Sequence, residues 1–385
     1  MREKWILLAA VMAILVLSGT GLWQGSCPLR TEKRGAAEPA EIVIGALLPL
    51  SGSTGSYGEN ARSAIDLAVE QANDSGGIDG KRIRIVYEDT EATPSVGVGA
   101  FERLVATEPV AAAIGPMSSP VAMAVAPLAE EMKTVILSPS ASTPDLTEAG
   151  DYVFRDCLSD EYEGVALAGL ALDTLGYETG ALFYIDNAYG HGLADVFAEA
   201  YERRGGMLVA RETFAEDATD FSEPLARIAA AQPDVIVLIG YAQMGEILIE
   251  ARSAGLTQQV LSSVMFDNPA ILATAGAAAE GVLFTTWTPD PADPSPELAA
   301  FENAYRVKYA AAPGIFGAES YDAANLLIEA IRARGDTADA IRDGLYATQA
   351  YRGASGTISF DENGDCIKPI YVKRVEGGEF VYTTS

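Results

Sequence analysis

The sequence predicts an α/β protein of two doubly wound lobes, each a parallel sheet covered by helices on both faces. Three observations carry this reading. From Glu41 onward, short apolar runs alternate with segments of helical period. The alternation pauses near Arg155 and then restarts, which asks for a second sheet. In both halves, loops bearing serine or tyrosine follow directly on the ends of the apolar runs. The chain has 385 residues, 49% of them hydrophobic and 21% charged, which is enough for two or three domains with real cores.

The elements follow in order. Ile42–Leu48 is a buried strand that runs into a glycine- and serine-rich loop, Ser51–Gly58. A helix then places Ala61, Ala64, Ile65, Ala68, Val69 and Ala72 on one face, and Asn73–Gly80 stops it. Ile83, Ile85 and Tyr87 alternate as a strand, and Pro94 opens the next helix. Val110–Ile114, a helix over Pro120–Met132 and the strand Val135–Leu137 complete the first half. The second half reads as a helix over Glu163–Leu175, a strand at Ala181–Ile185, a helix over Leu193–Arg203 and a strand at Met207–Arg211. It continues with a helix over Phe221–Ala230, the strand Val235–Ile239, a helix over Met244–Ala254, and strands near Val260 and at Val282–Thr286. Residues 295–349 give three helical segments. Thr357–Phe360 and Ile370–Val372 read as a hairpin turning at Asp361–Asp365, whose acids lack the spacing of a calcium loop.

Charge and composition exclude several functions. Lys and Arg number 26 against 54 Asp and Glu, a net charge of −28 that repels nucleic acid and anionic lipid. The single histidine, His191, lies in YGHGL at a helix start, as a rim or capping residue. The three cysteines, Cys27, Cys157 and Cys366, are widely spaced, so no zinc or redox motif is present. The first strand–helix loop has neither GxGxxG nor GxxxxGK[ST], and the chain has no GxSxG elbow. The spacing of Gly52, Gly55 and Gly58 fits either close approach to a ligand or a turn. No metal or cofactor is expected.

At the N-terminus, Arg2 and Lys4 precede an uncharged run, Trp5–Leu29, whose most apolar part is Trp5–Leu17. That is the pattern of a secretory signal. Cys27 follows Gly25 and Ser26 as in a bacterial lipoprotein box, although Gln24 stands where an aliphatic residue is usual. Lipidation at Cys27, ordinary cleavage and an uncleaved anchor all stay open. Residues 1–26 are thus a signal peptide or membrane anchor and 27–40 a tether. The expected location is periplasmic or extracellular, either free or held to the membrane through this segment.

The loops at strand ends point to binding. Met117-Ser118-Ser119 follows one strand, and Ser138-Pro139-Ser140-Ala141-Ser142-Thr143 follows its neighbour. Ligands of open α/β sheets lie outside the carboxyl ends of the strands. Hydroxyls and free N–H groups there can hold a carboxylate with neutral donors. Tyr57, Tyr189 and Tyr241 occupy corresponding loops and offer an apolar face with one hydroxyl.

These stretches, in order, resemble the periplasmic solute-binding proteins of ABC importers for branched-chain amino acids, the Leu/Ile/Val-binding family. The matching segments are IGALLPLSGSTGSYGEN, QANDSGGIDGKRIRIVYEDT, IGPMSSPVAMAVAPLAEE, ILSPSASTPDLT, VFRDCLSDEYEG, FYIDNAYGHGLADVF, PDVIVLIGYAQMGEILIEARSAGL and GTISFDENGD. The resemblance implies a type I periplasmic-binding fold, whose two lobes are joined by three crossovers and close like a hinge. The crossovers are placed near Leu158, Trp287 and Ala354. One lobe is then 41–158 plus 287–354, and the other 159–286 plus 355–385.

It further implies that Ser119, Ser140 and Ser142 hold a ligand carboxylate and that Tyr57, Tyr189 and Tyr241 surround the ligand. The family's acid for the ligand ammonium falls on Val264, which is a departure. Either Asp267 substitutes for it, or the ligand lacks an amino group. The family also includes binders of amides, ureas and aromatic acids. The implied function is delivery of a branched-chain amino acid, or a related small carboxylate or amide, to a membrane ABC permease by a monomeric non-enzyme. A sensing receptor of the same fold is the alternative, and an extracellular enzyme a weaker one. Cys157 and Cys366, both near expected crossovers, are either paired or two separate buried thiols.

Overall fold

The structure, a computed structural model, describes residues 41–52, 54–288, 295–314 and 316–383. The signal segment, the tether and Cys27 lie outside these residues. The first half runs β1 (Ile42–Leu48), α1 (Gly55–Asp74), β2 (Ile83–Asp89), α2 (Pro94–Thr107), β3 (Ala112–Ile114), α3 (Ser119–Met132), β4 (Val135–Ser138) and β5 (Val153–Leu158). The second half runs α4 (Asp160–Gly169), β6 (Thr179–Ile185), α5 (Ala188–Arg203), β7 (Met207–Phe214), α6 (Ser222–Ala231), β8 (Val235–Ile239), α7 (Met244–Ser253), β9 (Gln259–Ser262), α8 (Pro269–Ala275) and β10 (Leu283–Thr286). The chain ends in α9 (Pro296–Tyr309), α10 (Gly317–Arg334), α11 (Ala338–Tyr346), β11 (Tyr351–Gly353), β12 (Gly356–Ile358), β13 (Asp365–Cys366), β14 (Tyr371–Glu376) and β15 (Glu379–Tyr382).

Two sheets result. One has the order β13-β5-β4-β3-β1-β2 and is parallel throughout. The other has the order β15-β14-β10-β9-β8-β6-β7, parallel from β7 to β10 with an antiparallel β14–β15 edge. The central strands β3, β4, β8 and β10 are buried along their whole length, as expected for sheets covered on both faces. Strand order reverses between β1 and β3 in the first sheet and between β6 and β8 in the second. Each reversal opens a crevice at the carboxyl end of its sheet.

Gly58 and Gly190 play one role in the two lobes. A Cβ on Gly58 would lie 2.0 Å from the Pro49 carbonyl oxygen, and one on Gly190 would lie 1.9 Å from that of Ile185. Each lets a helix start press onto the end of the strand that feeds it. Gly52, at φ +77, serves the turn.

The C-terminal expectation needs correcting. Residues 357–360 and 370–372 do not form a hairpin. β12 pairs with β11, β13 adds a parallel edge to the first sheet, and β14 joins the second. The third passage between sheets therefore falls between Cys366 and Tyr371, not near Ala354. The first follows β5 at Leu158 and the second follows β10 beside Trp287. Asp361–Asp365 is a turn: the Asp361 carboxylate accepts from the N–H groups of Asn363 and Asp365, each at 2.9 Å. Cys157 and Cys366 are free, buried thiols. β5 and α8 were not anticipated.

Candidate functional site

A cleft of about 620 Å³, partly open to solvent, lies where the carboxyl ends of the two sheets face each other. Pro49 from the end of β1, Tyr57 from the start of α1, and Met117, Ser118 and Ser119 from the turn after β3 line one side, joined by Ser140 and Ser142 after β4. Asn187 and Tyr189 after β6, Glu216 after β7, Tyr241 after β8, and Val264 and Met265 after β9 line the other. Trp287 and Phe316 close it near the second passage. Both reversals of strand order thus open into one space.

The serine side is built by local hydrogen bonding. Ser138 donates to the Pro116 carbonyl at 2.6 Å and accepts from the Ala141 N–H at 2.9 Å, and Ser140 donates to the Met117 carbonyl at 2.7 Å. These bonds tie the two serine loops together. Ser119 accepts from the Thr143 N–H at 3.4 Å. Ser118 stands at the cap of α3 without capping it, and its buried hydroxyl has no partner. The opening N–H groups of α3 have no intrahelical acceptor and carry the positive end of its dipole. The Ser118 hydroxyl beside this helix start suits a carboxylate.

Arg155, fully buried in β5, fixes this loop from behind. Its Nη1 donates to the carbonyls of Ser142 at 3.0 Å and Thr143 at 2.7 Å, while Nε and Nη2 grip Asp365 at 2.6 and 2.7 Å.

On the aromatic side, Tyr189 and Tyr241 stack with ring centroids 5.5 Å apart and planes 16° from parallel. Tyr189 shares a 2.6 Å hydrogen bond with Ser263. Burial raises the pKa values of Tyr57, Tyr189 and Tyr241, so all three remain neutral phenols at physiological pH. The lobes touch over the cleft: Asn268 Nδ2 donates to Tyr57 Oη at 2.6 Å, and Thr143 Oγ1 donates to the Ala188 carbonyl at 3.4 Å.

A family model for the periplasmic binding protein matches residues 41–379. The chain belongs to the periplasmic binding protein family. Among relatives of this periplasmic binding protein, Leu/Ile/Val-binding protein homolog 3 of Brucella melitensis is 28% identical over 340 residues, 87% of this chain and 91% of the relative. A leucine-binding protein from Thermotoga maritima superposes with a TM-score of 0.84 at 30% identity, over 89% of this chain and 98% of that one. A branched-chain amino acid transporter substrate-binding protein from Streptococcus pneumoniae, solved with isoleucine, gives 0.82 at 29% identity over 89% and 100%.

Seven of the eight expected site residues meet in the cleft of this periplasmic binding protein: Ser119, Ser140, Ser142, Tyr57, Tyr189, Tyr241 and Val264. Asp267 does not. Its Oδ2 accepts from Lys373 Nζ at 2.6 Å and from Thr286 Oγ1 at 3.1 Å, so it is committed to the second sheet. His191 also stays outside the lining, paired with Asp186 at 2.7 Å.

Sequence reasoning missed Asn187 and Glu216. Both follow strand ends in the second lobe, a positional signal that would have found them. Among the described residues Glu216 is the one charged residue of the lining. Burial raises its pKa, against the nearby Asn187 amide. Beneath the cleft, Glu163 accepts from the Val264 N–H at 2.8 Å and from Thr285 Oγ1. Burial lifts Glu163 to about 7 and, together with Glu163's charge, pushes Asp160 well above the ordinary range. Among the described residues no cluster of His, Cys, Asp and Glu could hold a metal ion.

Proposed function

We propose that this protein captures an aliphatic amino acid outside the cytoplasm and delivers it to an ABC permease by closing its two lobes. The observation that carries this reading is the cleft's division of labour. One lobe contributes neutral hydroxyl and N–H donors together with Tyr57, and the other contributes the stacked rings of Tyr189 and Tyr241. Ser119, Ser140 and Ser142 hold the carboxylate, with α3's opening N–H groups behind them. Tyr57, Tyr189 and Tyr241 face the hydrocarbon part, which gains roughly 25 cal/mol for each Å² of apolar surface withdrawn from water. The leucine- and isoleucine-binding relatives support the choice of side chain.

In this reading the lobes are 41–158 with 287–366, and 159–286 with 371–383, and they rock about the three passages. The protein works as a monomer without chemistry on its ligand. Cys27 or the segment around it sets whether it is free or tethered. No described helix is long and apolar enough to cross a membrane.

The test is thermal unfolding against a panel of amino acids, short amides and aromatic acids. A ligand at a hundredfold excess over its Kd should stabilise the protein by about 3 kcal/mol. Leucine, isoleucine or valine is expected to lead the panel. No shift from any of them would refute the assignment.

A further inference from the structure

The family resemblance places the ammonium-holding acid at Val264, where this chain has none, and Asp267 is spent on Lys373. The cleft nevertheless contains an acid. We propose that Glu216, on the loop after the edge strand β7, receives the ligand's ammonium group and so selects zwitterionic ligands over simple carboxylates. This rests on the amino-acid reading above and specifies how that amino acid is recognised.

Three observations support the assignment. Among the described residues every other lining side chain is neutral, so they offer the cavity a single charge and it is negative. An anion without a cationic group would enter against that charge, whereas an ammonium would satisfy it.

Second, the loop is held in place. Phe214's carbonyl accepts from the Asp186 N–H at 2.8 Å, Gln243 Nε2 donates to the Glu216 carbonyl, and the Phe221 N–H is held by Glu250 at 3.0 Å. The Asn187 amide lies near enough to influence both Glu216 and Tyr241, yet its Nδ2 makes no well-formed hydrogen bond. It is a buried donor left for a ligand.

Third, the buried acids near the cleft are unsuitable. Asp160 and Glu163 lie below the lining, and Glu163 is already bonded to Val264 and Thr285.

The placement couples recognition to closure. The carboxylate donors lie on the first lobe and Glu216 on the second. A zwitterion spans the cleft and draws the lobes together, while a ligand with a carboxylate alone engages one side.

The experiment is calorimetric titration of the wild type, Glu216→Gln and the double variant Glu216→Gln/Val264→Glu with L-leucine and with isocaproate, which is leucine without its amino group. Unliganded thermal midpoints confirm that each variant is folded. Glu216→Gln should weaken leucine on the order of 100-fold while isocaproate binds as well as before or better. Val264→Glu in that background should restore leucine. No leucine binding by the wild type overturns the amino-acid reading beneath the proposal. Leucine binding that is unchanged in Glu216→Gln, or an equal loss for both ligands, overturns the role of Glu216 alone.

Discussion

The ligand cleft and the region where the chain passes between lobes are neighbours with opposite electrostatic designs. Among the described residues the cleft is lined by hydroxyls, aromatic rings and one acid. The passages enclose Asp156, Asp160, Glu163, Glu319, Asp322 and Lys368, all of them buried. At the third passage, Lys368 donates to Ser355 Oγ at 2.6 Å. Asp322 accepts from the Ala354 and Ser355 N–H groups at 2.8 and 2.7 Å. Both Asp156 carboxylate oxygens and one of Glu319 have no protein partner. Burial raises the pKa of each of these three acids, and the charge of Lys368 opposes the rise.

The difference teaches where a hinged binder can place charge. A cleft that opens to water and closes again must desolvate its groups at every cycle, so neutral donors keep closure inexpensive. At the passages the strands stay packed. Mutually dependent charges there specify one arrangement of the crossing chains, even where an apolar core would be as stable.

Four substitutions probe that contrast, the most disruptive first. Lys368→Met leaves three buried acids without their cation. It should cost about 3–5 kcal/mol in urea unfolding, with Asp156→Asn recovering part of the loss. A cost below about 1 kcal/mol would show that the cluster is already neutral and that the contrast is not one of charge.

Glu163→Gln tests the network that reaches from the passage to the cleft floor. The folded protein binds this proton more tightly, at about 7 against an ordinary 4.5. The stabilisation is therefore complete below pH 4.5 and is lost as pH rises through 7. The wild type should lose at most ~3 kcal/mol across that window from this group. The amide keeps the acceptor for the Val264 N–H and cannot ionise, so the slope of stability against pH should shrink. An unchanged slope would place the titration elsewhere.

Arg155→Lys reaches both regions, because one guanidinium holds Asp365 and the Ser142–Thr143 carbonyls. A lysine cannot reproduce the fork. The expected loss is roughly 2 kcal/mol of stability, together with weaker leucine binding as the serine loop loosens. A loss of stability with affinity intact would separate the loop from Arg155. Tyr241→Phe keeps the stacked ring and removes a hydroxyl at the rim. Its effect on unfolding should stay below about 1 kcal/mol, and a larger one would show that the aromatic wall is structural.

The alternation of elements was legible because central parallel strands are short, continuous and apolar. The strand β5, VFRDCL, was not, since Arg155 and Asp156 interrupt its apolar pattern. Its burial depends on partners far along the chain, Asp365 and Lys368 among them. The tail misled for a related reason. Its short strands pair with β5, β10 and β11, and nothing local reveals which. In the site, Ser119, Ser140, Ser142 and the three tyrosines were legible from their place after strand ends. Glu216 was hidden in an acidic loop of a chain with 54 acids. Asp267 read as available because Lys373 lies so far on in sequence.

This cleft is proposed to take a zwitterion with an aliphatic side chain. Calorimetric titration of the wild-type protein with L-leucine and with benzoate tests it most directly. Leucine is expected to saturate one site per chain while benzoate binds far more weakly. Benzoate binding as tightly as leucine, or more so, would contradict the account.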